Sequence, residues 1–140
     1  MLVNLTSADN ELTGYKNFSQ ITSFARSVAD SEAQKIYCEN FLSSFDYNDV
    51  PGVVNLILKK LRMGSTLTII EPDFELISRQ IFREEIPVSN VNQIIFKDKK
   101  VIKCFLTSEA VESLITDERF AIISKRFDSH NFTLVVKRIS

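Results

Sequence analysis

The chain opens on a short apolar run, Leu2 to Leu5, followed by the small polar residues Thr6 and Ser7, a pattern that predicts a buried strand entering a loop. Tyr15 to Phe18, after the Thr13-Gly14 turn, predicts a second short strand, and Ile21 to Val28 predicts a short helix. Gln34 to Cys38 reads as another strand, followed by a helical turn over Glu39 to Phe45. Val50, Val53, Val54, Ile57, Leu58 and Leu61 then recur at helical spacing. That helix is expected to be capped at Asn48-Asp49 and to end at Arg62-Met63-Gly64, with glycine in its usual C-terminal place.

The stretch "STLTII", Ser65 to Ile70, is rich in β-branched residues and alternates, as a buried strand would. Glu71-Pro72-Asp73 stops it, and Phe74 to Phe82 reads as a helix capped by Asp73. "TSEAVESLI" predicts a helix with a Thr or Ser cap and a capping-box glutamate at Glu109 or Glu112. "FAIISKRF" and "FTLVVKRI" flank the turn Asp128 to Asn131 and predict an antiparallel hairpin. Strands alternating with helices, then a hairpin, predict an α/β domain: a mostly parallel sheet edged by an antiparallel hairpin. Without repeats or Pro/Gly-rich linkers, residues 1–140 read as one domain.

Charge narrows the function classes. Lys and Arg number 17 against 18 Asp and Glu, and they are spread along the chain, which argues against nucleic-acid binding. The basic stretch Lys97 to Lys103 reads as a solvated turn and strand edge. Cys38 and Cys104 lie far apart among apolar neighbours and read as buried free thiols, not as metal ligands or a disulfide. No run approaches the roughly 18 apolar residues that span a membrane, and no leader pattern opens the chain, so a cytoplasmic protein is expected. No nucleophile–base set, phosphate loop or metal cluster can be assembled from the sequence.

Asn4-Leu5 followed by Leu12-Thr13-Gly14-Tyr15-Lys16-Asn17 has the order and spacing of the first motif of the class I S-adenosylmethionine-dependent methyltransferases. The chain resembles their type 11 or 12 branch. "IYCENFLSSF", "LKKLRMGSTLTIIEPDF" and the helix-plus-hairpin tail continue the likeness over almost the whole chain. The resemblance implies a Rossmann-like methyltransferase fold with helices on both faces of a seven-stranded, mostly parallel sheet. Between Asn17 and Ile36 there is too little sequence for the family's second strand, helix and third strand, so truncation is expected there.

The resemblance also assigns cofactor positions. The family's Gly-Cys-Gly turn, which lets the backbone approach the cofactor, falls on Thr6, Ser7 and Ala8, next to Asp9, and each added side chain fills cofactor space. Its acidic ribose acceptor falls on Ser19, a neutral and weaker partner. Asp30 matches the acidic residue near the adenine, and Cys38, Glu39 and Asn40 stand where the segment after the fourth strand meets the cofactor. The candidate bases for methyl transfer are Glu39, Glu71, Asp73 and His130. Glu71 is expected to be solvated and Asp73 to be a cap, and His130, alone in a hairpin turn, is assigned no role. A preserved packing skeleton with altered ligand positions implies a non-catalytic methyltransferase-like module that binds no cofactor and serves binding or structure. The alternative is a minimal active S-adenosylmethionine-dependent methyltransferase on an unknown acceptor. Apolar surface uncovered by the missing strands implies a homodimer or a protein partner; no membrane, nucleic acid or metal is implied.

Overall fold

A computed structural model describes residues 1–7, 10–96 and 102–140. The strands are β1 (Leu2–Thr6), β2 (Lys16–Phe18), β3 (Ala33–Glu39), β4 (Leu61–Pro72), β5 (Phe120–Asp128) and β6 (Asn131–Arg138). The helices are α1 (Ile21–Ser27), α2 (Val50–Lys60), α3 (Phe74–Phe82), α4 (Val88–Phe96) and α5 (Ser108–Glu112). Single 3-10 turns cover Leu42–Ser44 and Tyr47–Asp49.

The strands form one six-stranded sheet, ordered β2-β1-β3-β4-β6-β5. β2, β1, β3 and β4 are mutually parallel, and the β5–β6 hairpin joins β4 antiparallel through β6. Between β2 and β3 the chain makes α1 and no strand, so the sheet has six strands where the resemblance implies seven, trimmed where the short interval predicts.

Register and burial divide the sheet into two unlike faces. Val3, Ile36, Leu67 and Val136 line up across four strands, as do Leu5, Cys38, Ile69 and Leu134, and all are almost completely buried. Against this face pack Phe24 and Val28 beside α1, Val53, Val54, Ile57 and Leu58 of α2, and Val111 of α5. Burying these side chains is the main stabilising term of the fold. α3 approaches from the same side, sharing a surface hollow with Phe127 of β5. The opposite face presents Lys35, Tyr37, Glu39, Thr66, Thr68, Ile70, Thr133 and Val135, all half-buried or exposed. The helices feeding this core thus form one layer, and among the described residues no helix packs on the opposite face of the central strands.

Other local expectations change. α2 ends at Lys60, not at Gly64, because Leu61 turns extended and pairs with Ala33. Thr66 pairs with Lys35, so Arg62-Met63-Gly64 bulge out of β4, with Gly64 at φ +80. Asp49 makes no side-chain cap for α2, which grows directly from the preceding 3-10 turn. Over Glu39 to Phe45, Glu39 completes β3 and only Leu42–Ser44 is helical. Thr107 caps α5 by accepting from Ala110 N, and the third helical position is Ala110, so no capping box forms with Glu109 or Glu112. α4 has no counterpart among the predicted elements. Of the basic stretch, Lys97 to Val101 lie outside the described residues.

Candidate functional site

In a parallel sheet, ligands meet the carboxyl ends of the strands. Here those ends carry Ser7 after β1, Ser19 after β2 and the turn Leu42–Ser44 after β3. They open onto a cleft of about 460 Å³ lined by Ser7, Ser19, Gln20, Ile21, Ser44, Phe45, Asp46, Asp49 and Lys103. Three hydroxyls, two carboxylates, one ammonium and one aromatic ring make this a polar, mixed-charge site. Its far wall is pinned by Lys103 N, which donates to Ser43 O at 2.7 Å, with Cys104 N donating to the same oxygen at 3.2 Å.

Two of the sequence-assigned cofactor positions, Ser7 and Ser19, meet in this cleft. Thr6 is buried at the end of β1 beside Glu39. Ala8 and Asp9 lie outside the described residues. The Ser7 hydroxyl donates to Asn40 O. Asn40 sits at φ +53, a left-handed conformation that asparagine tolerates, and its N–H donates to Ile70 O at 3.0 Å. Asn10 Nδ2 donates to Glu39 Oε2 at 2.9 Å, and Asn4 Nδ2 donates to Asn10 O and to Asn17 Oδ1, both at 2.8 Å. The loop leaving β1 is therefore tied by side chains to the end of β3.

Asp30 and Cys38 do not join the cleft. Asp30 lies between α1 and β3, at the amino end of the sheet, where Lys60 Nζ approaches its Oδ1 to 3.0 Å. The hydrogen bond and charge of Lys60 hold its carboxyl below the usual range. Asp30 thus stands at the opposite end of the strands from the cleft. Cys38 points into the helix-covered core, where burial, and then the Glu71 carboxylate, push its thiol well up. Such a thiol is inert.

Glu71 departs most from expectation. It is fully buried, and burial raises its pKa to about 7 against the hydrogen bonds of the 41–43 segment. Ser43 N donates to Oε1 at 3.2 Å, while Glu71 Oε2 and Ser43 Oγ have no partner among the described residues. Strand alternation carries the reason: Glu71 continues the buried set Ser65, Leu67 and Ile69. Asp73 is a cap, as expected, accepting from Leu76 N at 3.0 Å and also from Ser108 N at 3.2 Å.

The cleft residues Gln20, Ile21, Phe45, Asp46, Asp49 and Lys103 are not assigned to a site by the sequence, whereas Ser44 falls where the resemblance places an ionisable residue. The available signal was the small-polar and acidic run "SSFDYND" a few residues after the predicted strand Gln34 to Cys38. Among the described residues no group of three or more His, Cys, Asp or Glu side chains could hold a metal ion, and no helix is long and apolar enough to cross a membrane.

No family model and no curated protein matches the sequence. Solved structures do match. A Methanosarcina mazei SAM-dependent methyltransferase superposes with a TM-score of 0.64 over 99% of this chain and 92% of its own, at 14% identity. The fold is that of the class I S-adenosylmethionine-dependent methyltransferases. A SAM-dependent methyltransferase from Thermotoga maritima matches at 0.62 over 98% of this chain and 81% of its own, with 11% identity. An O-methyltransferase family protein from Burkholderia thailandensis matches at 0.60 and 12% identity over 90% of this chain, which spans only 36% of its length. The β5–β6 hairpin lies beside β4, where the sequence placed an antiparallel edge.

Proposed function

We propose that this methyltransferase-fold chain does not bind S-adenosylmethionine and acts as a non-catalytic binding or structural module. The cross-linking of the loop after β1 carries this reading. The Ser7 hydroxyl spans the seam between β1 and β3, and Glu39 is engaged by Asn10. Groups that would face a cofactor are occupied within the protein, and the ribose position offers the Ser19 hydroxyl in place of a carboxylate. On this reading the residues present do not fit the cofactor.

A second reading, a minimal active methyltransferase on an unknown acceptor, is favoured by the open polar cleft at the carboxyl ends of the strands. Thermal melting and calorimetric titration with S-adenosylmethionine and S-adenosylhomocysteine separate the two. We expect no shift and no heat. A ligand at 100 times its Kd stabilises by about 2.7 kcal/mol, so a saturable rise in melting temperature with either compound overturns the module reading.

A further inference from the structure

We propose that the bare face of the sheet is the surface on which two copies of this chain pair, about a two-fold axis lying in the plane of contact and perpendicular to the strands. Sheets containing parallel strands are ordinarily covered on both faces. Here, among the described residues, the helices of the core cluster pack on one side of the four parallel strands. On the other, Asn10 and Asn17 hold the buried Asn4 of β1 and Tyr15 comes near Tyr37 of β3, while the outward side chains of β3, β4 and β6 stay half-buried or exposed.

The charge pattern of this face selects its occupant. Register sets Lys35, Thr66 and Lys137 in one row, Tyr37, Thr68 and Val135 in the next, and Glu39, Ile70 and Thr133 in the third. A two-fold axis along the middle row brings the first row of one copy onto the third row of the other. Each Lys35 then meets the partner copy's Glu39, whose carboxylate keeps its bond from Asn10 through Oε2 and turns its remaining acceptor capacity to the ammonium, while Tyr37, Thr68 and Val135 meet their own counterparts. An axis parallel to the strands would instead set Lys35 against Lys137, and like charges oppose it. The face is thus self-complementary in one arrangement. From strand spacing and rise, the open patch measures about 300 Å² in projection per copy, which corresponds to a weak, reversible dimer. This inference rests on the fold and is separate from the cofactor reading, which the titration tests on its own.

Sedimentation equilibrium of the full chain from about 1 to 500 µM should show the mean mass climbing from monomer toward dimer. Lys35→Glu should weaken association at least about tenfold, and the swap Lys35→Glu with Glu39→Lys should restore it. Carbodiimide cross-linking gives a readout without any substitution. Lys35 and Glu39 of one strand are about 13 Å apart and cannot be joined directly, so a Lys35–Glu39 linkage must join two copies. A monomer at every concentration, a dimer indifferent to Lys35→Glu, or a dimer lacking the Lys35–Glu39 linkage would each overturn the proposal.

Discussion

Glu71 shows how much a single position depends on its surroundings. Three flanking segments face it: Cys38 from β3, Ser43 from the turn after β3, and Cys104 ahead of α5, whose thiol is pushed to about 11 by burial and by the Glu71 charge. Its folded pKa of about 7 lies above the ordinary value of 4.5. Between those values the folded state binds more protons than the unfolded chain, so stability is full below about pH 4.5 and falls as pH rises through about 7. The loss across that window is about 3 kcal/mol. Urea unfolding from pH 4.5 to 8 should show this decline, and Glu71→Gln should flatten it; equal slopes in the two proteins would refute the assignment. Asp30 behaves oppositely in importance. It is exposed and remote from the cleft, so Asp30→Ala should leave any ligand signal of the cleft unchanged, as a titration of both proteins would show.

At the scale of elements, Asp73 joins two helices. Its Oδ1 caps α3 through Leu76 N, and its Oδ2 receives Ser108 N at the start of α5. Asp73→Ala removes a cap and leaves a buried donor unpaired, which should cost about 2–3 kcal/mol in denaturant unfolding, against about 1 kcal/mol for a cap alone. A loss near 1 kcal/mol would mean that the α5 contact contributes nothing. The strands β4 and β6 were legible because their residues alternate: Leu67 and Ile69, then Phe132, Leu134 and Val136, are buried, with Thr66, Thr68 and Thr133 between them. α4 was not legible. Its apolar residues Val88, Val91, Ile94 and Ile95 have helical spacing, but the helix follows Pro87 without a Ser, Thr, Asp or Asn cap and buries only Ile95.

At the scale of the whole molecule, a six-stranded sheet of methyltransferase fold carries a cleft at the carboxyl ends of its strands, and among the described residues its core helices cover one face. The cofactor titration and the dimer measurement address the two consequences. The sequence by itself determined the order of the strands, the helices α1, α2, α3 and α5, the antiparallel hairpin and the short interval after β2. Each of these is written in local periodicity or in the residue types themselves. Tertiary structure alone decided that Glu71 is buried, that Asp30 lies at the amino end of the sheet and that one face carries no helix among the described residues. It also decided that the loop is tied down, because Ser7 and Asn40, or Asn10 and Glu39, lie 33 and 29 residues apart. Periodicity reports which way a side chain points within its own element; what it meets there is set by a different part of the chain.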